Sequence, residues 1–437
     1  MGREIHSVAV IGGGTMGSGI AAAAAAAGWR VLLLERDREA TRRARERTLA
    51  QARDPEEQQA IDRLLVTGTL DESLREIGEF DWICEAIVED LDAKRALFSR
   101  IEPWRREGSV VSTNTSGIPL SAITAGLPDR LGRDIVVTHF FNPVRVMKLL
   151  EIVPGNDTDP AVVASLARFC GDVLGKGVVQ AKDTVNFIAN RIGCFWMLSG
   201  LHHARRFRAE GIGIERADAL LSAPLGLPAT GLYGLIDLIG LDVMALVGRN
   251  LAANLPEDDA GRAFTRFPAE EEALLARGQL GRKSGGGFYR VLKGADGQKS
   301  REVFDLTALV WRPHAPAALA PHQTDAAGLL FADDPDGAFA WAVHGGTLLY
   351  AADLLPAIAD DIVNVDRALR WGFGWKRGPF ETLDDLGPAR VIARLRTEGR
   401  PVPALLRLLE QSGGESFYRD QGRAHLGLDG RYHPVEG

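Results

Sequence analysis

Residues 8–37, VAVIGGGTMGSGIAAAAAAAGWRVLLLERD, constrain the fold of this chain more than any other stretch. An apolar run leads straight into Gly12, Gly14 and Gly17, then into a run of alanines, then into a second apolar run that ends in Glu35. That order is the strand, glycine turn, helix and strand of a dinucleotide-binding unit. The first glycine permits the tight turn, the second lets backbone approach a pyrophosphate, and the third lets the helix pack closely on its strand. Thr15 and Met16 open the helix, whose N-terminus suits phosphate. Glu35 is placed to accept hydrogen bonds from ribose hydroxyls and to repel a 2′-phosphate, which favours NAD over NADP, a preference that Arg36 and Arg38 just beyond it can soften. Arginines are dense from Arg36 to Arg53. They read as a solvated helix face, with a landing site for a phosphate-bearing substrate as the sharper alternative.

The first 180 residues alternate short apolar runs with helix-like stretches, the pattern of a parallel sheet covered by helices. SVAVIG, RVLLLE, WICEAIV, SVVSTN and IVVTHFF are its strand candidates. From residue 183 the character changes, because VNFIANRIGCFWMLSGLHHARRF has the length and spacing of a buried helix. The expected architecture is therefore an α/β Rossmann-type domain over 1–182, followed by two related all-α domains over 183–290 and 335–437. Residues 291–334, with KGADGQKS and several prolines, read as a connector holding one hairpin. The relation between the helical parts rests on ADALLSAPLGLPATGLYGLIDLIG at 217–240 and VDRALRWGFGWKRGPFETLDDLG at 365–387. Each runs from an Asp at its second position to a closing Asp and Gly.

Composition narrows the class. A chain of 437 residues exceeds one ordinary core, and 46% hydrophobic with 25% charged residues is ordinary for a folded protein. A net charge of -7 argues against nucleic acid as a partner. Cys84, Cys170 and Cys194 form no CxxC pair, so neither a disulfide framework nor a metal site is expected, and a reducing, cytoplasmic setting fits. No apolar run reaches the ~18 to 20 residues of a membrane span, and AAAAAAAG reads as a closely packed helix and not as a signal peptide.

Titratable groups then stand where apolar ones belong. In THFFNPVRVMKLLEIVPG, residues 138–155, His139 and Glu151 interrupt runs that otherwise read as buried strand. Alternation and a reversal near Arg145 set the two opposite each other. Either one buried alone is costly, whereas the pair satisfy each other. From these two residues, a structural pair and a catalytic dyad are equally good readings. STNTSG, residues 112–117, adds Asn114 and Ser116 at the carboxyl edge of a predicted strand, where such sheets bind ligands. KDTVNFIANR carries Asn190 into the helical part. Taken singly, each is as good a cap or turn residue.

Together STNTSG, HFFNPVRVMKLLEI, KDTVNFIANR and GRKSGGGFY resemble the ordered signature blocks of the 3-hydroxyacyl-CoA dehydrogenase family, over residues 5 to about 290. The resemblance implies NAD-dependent oxidation of (S)-3-hydroxyacyl-CoA in fatty-acid beta-oxidation or related acyl-CoA metabolism. It makes His139 the general base, Glu151 the carboxylate that orients it, and Ser116 and Asn190 the groups that hold the substrate oxygen. It also implies cofactor contacts for Glu89, Lys94, Asn142 and Lys283, with Asn114 and Ser116 at the same edge, while Glu85 matches a less informative position. The family commonly has Pro where Arg145 and Val185 stand; Arg145 either alters the reversal or reaches an acyl-CoA phosphate.

The segment at 365–387 resembles the second helical domain of longer members, some of which continue into an enoyl-CoA hydratase domain. This chain ends at RYHPVEG, with no room for one, and a separately encoded hydratase stays open as a partner. Residues 335–363 hold no asparagine to mimic Asn190, and that domain is expected to be structural. Short members pair such helical domains in a homodimer, so either a monomer with an internal pseudo-dimer or a homodimer is expected. Two other classes stay in view: a crystallin-like NAD-binding protein without catalysis, and a dehydrogenase of a free hydroxyacid.

Overall fold

In the computed structural model, residues 3–293 and 297–435 are described. They fall into two compact units, one running to Ile188 and including Ala357–Ala359, the other beginning at Ala189 and leaving out that short segment.

The first unit is built on an eight-stranded sheet: β1 Ser7–Ile11, β2 Arg30–Glu35, β3 Leu65–Thr69, β4 Trp82–Glu85, β5 Val110–Thr113, β6 Ile135–Phe140, β7 Leu149–Pro154 and β8 Gly177–Gln180. Their order is β3-β2-β1-β4-β5-β6-β7-β8, and every pairing is parallel except β6 with β7. The apolar runs of the sequence become the inner strands, while β3 and β8 are additional edge strands. Buried on both faces, the inner strands are almost entirely apolar, as a sheet covered by helices requires. Val8, Val10, Val31, Leu33, Val110, Val136, Leu150 and Ile152 form one core with Ile20, Ala21, Ala24 and Ala25 of the helix Thr15–Ala26. At ~1.5–3 kcal/mol for each fully buried Val, Leu or Ile, this core is the main source of stability in the unit. Two of the polar groups beside it share one oxygen: Trp82 Nε1 donates to Ser112 Oγ at 2.9 Å, and Thr138 Oγ1 donates to the same oxygen at 2.8 Å.

The second unit opens with the helix Ala189–Phe207, 19 residues long and mostly buried. The apolar pattern starts at Val185, but Asn186 and Phe187 take left-handed backbone with φ of 60° and 51°, so the helix begins after them. Two similar helix sets follow, Ile214–Leu220 with Gly231–Ile239, and Ile362–Gly372 with Pro379–Leu386. In the first, Asp218 accepts from the N–H groups of Tyr233 and Gly234 and from the Tyr289 hydroxyl, and Asp237 accepts from the N–H groups of Phe288 and Tyr289. In the second, Asp366 accepts from the N–H groups of Phe380 and Glu381 and from the Tyr418 hydroxyl, and Asp384 accepts from the N–H groups of Phe417 and Tyr418. The similarity between 217–240 and 365–387 is thus a shared hydrogen-bonding frame. Glycine is required in both copies, since a Cβ on Gly231 would lie 2.5 Å from Asp218 and one on Gly378 would lie 2.3 Å from Asp366. Between the copies, Tyr289–Lys293, Lys299–Asp305 and Val310–Pro313 form a three-stranded antiparallel sheet where the sequence suggests one hairpin. Among the described residues, no single helix is long and apolar enough to cross a membrane.

Candidate active site

The antiparallel register of β6 and β7 sets His139 opposite Glu151. His139 Nδ1 is 2.7 Å from Glu151 Oε2, and Nε2 is 3.2 Å from Ser116 Oγ. Glu151 is fully buried and His139 is 3% exposed, whereas Ser116 is exposed. A buried carboxylate at this distance fixes the proton on Nδ1, which leaves the Nε2 lone pair turned toward Ser116. The N–H of Ile188 donates to Glu151 Oε1 at 3.1 Å, so the carboxylate is itself held. Phe141 and Phe187 flank the imidazole, with ring centroids 4.6 and 5.5 Å away.

The reversal between β6 and β7 contains a cis peptide at Asn142-Pro143, and Asn142 is exposed there. Arg145 braces it. Its guanidinium makes a two-pronged pair with Glu57 at 2.7 and 3.0 Å and donates to the Gln51 carbonyl at 2.6 Å. The same guanidinium, with Arg53, holds the Glu57 carboxyl well below the usual carboxylate range.

Ser116 sits on the loop after β5, and a carboxylate pins that loop: Glu89 Oε1 accepts from Thr115 Oγ1 at 2.6 Å, from the Ser116 N–H at 2.8 Å and from the Gly117 N–H at 3.2 Å. Asn114 ties the loop to β6 by accepting from the Phe140 N–H at 3.0 Å. Lys94, 1% exposed, donates to both oxygens of Glu85 at 2.7 and 2.9 Å and lies 3.3 Å from Glu89. Glu85 is fully buried at the end of β4. It is thus the anchor for the lysine and, through Glu89, for the serine loop. A sequence signal for it existed: an acid inside WICEAIV is as anomalous as the acid that marks Glu151.

The glycine turn has the shape a dinucleotide needs. Gly12 has φ of +98°, and a Cβ on Gly17 would lie 1.7 Å from the Gly12 carbonyl oxygen, so turn and helix touch as the motif demands. A Cβ on Gly14 would meet nothing within 4 Å, and Thr15 beside it is exposed, with Met16 half-buried. No side chain caps the helix Thr15–Ala26, whose first N–H groups are therefore available to an anion. Glu35 accepts from the Gly13 N–H at 2.8 Å and from the Arg36 N–H at 3.0 Å, which holds its carboxylate beside the turn. The arginines beyond it are engaged. Arg36, Arg38, Arg42, Arg43, Arg45 and Arg53 pair with carboxylates, and Arg47 donates to the Gly13 carbonyl. The solvated-face reading describes them.

Two further candidates lie in the second unit. Asn190 is the second residue of the helix Ala189–Phe207, and Lys283 pairs with Asp242 at 2.5 Å.

A family model for the NAD binding domain of 3-hydroxyacyl-CoA dehydrogenase matches residues 7–184, and one for the C-terminal domain of the same family matches residues 187–291. A probable 3-hydroxyacyl-CoA dehydrogenase of Bacillus subtilis is 34% identical over 100% of this chain, which spans 58% of that protein. One of Deinococcus radiodurans is 36% identical over 70% of this chain and 87% of its own length. The crystal structure of 3-hydroxybutyryl-CoA dehydrogenase from Escherichia coli is 25% identical, covers 94% of this chain and 99% of its own, and superposes with a TM-score of 0.69.

Proposed function

The chain belongs to the 3-hydroxyacyl-CoA dehydrogenase family, with an NAD-binding domain, and on that premise we propose that it oxidises (S)-3-hydroxyacyl-CoA to 3-oxoacyl-CoA. The observation that carries this reading is the buried His139–Glu151 pair with its second ring nitrogen turned toward Ser116. NAD held at the glycine turn and Glu35 would supply the hydride acceptor for the alcohol carbon. His139 Nε2 takes the hydroxyl proton, and Glu151 steadies the imidazolium that results, a contribution of ~10²–10⁴-fold for a well-placed general base. In the reverse direction the same nitrogen returns the proton to the ketone. Ser116 donates to the substrate oxygen as its charge changes, and Asn190 is the second group assigned to that oxygen. The glycine turn with Thr15 and Met16 takes the pyrophosphate, Glu35 the ribose, and Glu89, Lys94, Asn114, Asn142 and Lys283 complete the set assigned to the cofactor. Glu89 and Lys94 serve by holding the Ser116 loop.

The setting this reading implies is acyl-CoA breakdown, in fatty-acid beta-oxidation or related acyl-CoA metabolism. Three buried free thiols suit a reducing compartment such as the cytoplasm. Within the second unit the two helical copies pack on each other, since a Cβ on Gly193 would lie 2.1 Å from the Phe373 ring. The second copy then serves as an internal partner for the first, and the chain works as a monomer.

The test is loss of NADH absorbance with acetoacetyl-CoA, with free acetoacetate alongside. We expect turnover of the thioester, little with the free acid, and a fall of ~10²–10⁴-fold in His139→Gln. No NADH oxidation with any 3-oxoacyl-CoA defeats the proposal, and equal turnover of free acetoacetate replaces it with the free-acid reading.

A further inference from the structure

The helix that carries Asn190 starts abruptly. Asn186 and Phe187 take left-handed backbone immediately before it, and left-handed conformations in bulky residues persist only where surrounding contacts enforce them. The first turn of a helix also has the fewest intrahelical hydrogen bonds to hold it. What holds this one is Arg191, the neighbour of Asn190. Its guanidinium is buried, donates from Nε to the Tyr350 hydroxyl at 2.6 Å, and pairs through Nη2 with Asp259 at 2.5 Å. The Tyr350 hydroxyl in turn donates to Asp259 Oδ1 at 3.0 Å, which closes a three-membered network. Asp259 also accepts from the Gly261 N–H at 2.7 Å, so its carboxylate is fixed from a separate loop. The Tyr350 ring is 5% exposed and stacks on Phe195, one turn further along the same helix, with centroids 4.0 Å apart and planes at 15°. Tyr350 therefore grips the helix at two levels, Arg191 and Phe195.

Tyr350 belongs to the helix Gly346–Leu354 of the second copy, the part of the chain with no counterpart of Asn190. We propose that Tyr350 is a positioning residue for the dehydrogenase reaction: through Arg191 it sets the rotation and height of the first turn, and with them the amide of Asn190. The inference rests on the activity and the role of Asn190 proposed above. Neighbouring helical residues are held ~100° apart around the axis, so anchoring Arg191 on its own side fixes where Asn190 points. Displacements on the scale of 1 Å at such a group cost up to ~10²-fold in rate. The second copy then acts on the chemistry of the first without touching substrate.

The test is a double-mutant cycle on the full chain, read as kcat and KM for acetoacetyl-CoA. Tyr350→Phe removes the hydroxyl and keeps the ring; it is expected to lower kcat by about tenfold with KM for NADH unchanged. In the Asn190→Ala background, the same substitution is expected to lower the residual kcat by less than about twofold, because the group it positions is gone. Asp259→Asn, which attacks the network from its other side, is expected to follow the same pattern. Equal losses in both backgrounds would make Tyr350 a general structural residue and overturn the proposal, as would an unchanged kcat for Tyr350→Phe. A wild-type protein that turns over no 3-oxoacyl-CoA overturns this inference together with the activity it rests on, whereas an active wild type with an indifferent Tyr350→Phe overturns the inference alone.

Discussion

Asp218 and Asp366 occupy matching frames, each accepting from two consecutive N–H groups at the start of the next helix and from one tyrosine hydroxyl. The helices that lead into those frames differ. Ala189–Phe207 is one uninterrupted helix with Asn190 and Arg191 in its first turn. Its counterpart is broken into Pro335–Ala340, a π-helical turn at Trp341–Gly345, and Gly346–Leu354; its first turn holds Asp336, and its middle carries the buried His344. The frame was retained in both copies because removing a partner from a buried carboxylate or N–H is expensive wherever it occurs. The first turns differ in what they hold, Asn190 and Arg191 in one copy and Asp336, paired with Arg216, in the other.

Three experiments sharpen or break this comparison. The largest effect is expected at the frames: Asp218→Ala and Asp366→Ala each strand two N–H groups and a hydroxyl, and each should cost about 4 kcal/mol in chemical denaturation. A loss at Asp366 much below that at Asp218 would end the claim that the two frames bear equal load. Next is acidity. Burial pushes His344 down to about 3, from an ordinary value near 6.5 in the unfolded chain. The unfolded state therefore binds the extra proton first, and the stability His344 allows is whole above pH 6.5 and falls as the pH drops toward 3. At pH 5 about 2 kcal/mol of it is gone, so the gap between urea midpoints at pH 7.5 and 5.0 should narrow in His344→Leu. His203, on the helix of the first copy, is pushed down to about 4 but is only partly buried, and His203→Leu should narrow the gap less. An equal narrowing would mean that the two helices share the same acid sensitivity. The smallest effect is at the tyrosines. Tyr289→Phe and Tyr418→Phe each remove one of three donors to a buried carboxylate and should cost about 1 kcal/mol apiece, measured as a shift in midpoint.

What could be read in advance follows from how local each determinant is. The glycine turn, the inner strands and the opposition of His139 and Glu151 all rest on contacts between near neighbours in sequence, so alternation and turn chemistry reveal them. β3 and β8 lie at the sheet edges; LVTGT carries a glycine and threonines and GVVQ opens on a glycine and closes on a glutamine, so neither has the apolar run of an inner strand. The helix beginning at Ala189 was legible in its apolar pattern, but its start was not, since the left-handed turn at Asn186 and Phe187 is imposed by surrounding contacts. The bond from Arg145 to Glu57 spans 88 residues, and no spacing rule reaches that far. The grip of Tyr350 on Arg191 spans 159 and was hidden for the same reason. Glu85 is legible by the rule that singles out Glu151, a carboxylate inside an apolar strand.

Ile188 ends the main stretch of the first unit, and its N–H donates to Glu151 Oε1. The place where one unit hands over to the next is therefore also part of the support of the carboxylate, which limits how the chain can be recombined. A hybrid that borrows its helical half from a relative should be spliced after Ile188, because a join even three residues earlier would re-register the left-handed turn and release Glu151. A natural lineage that exchanges helical halves is expected to keep its crossover points on the far side of that one amide.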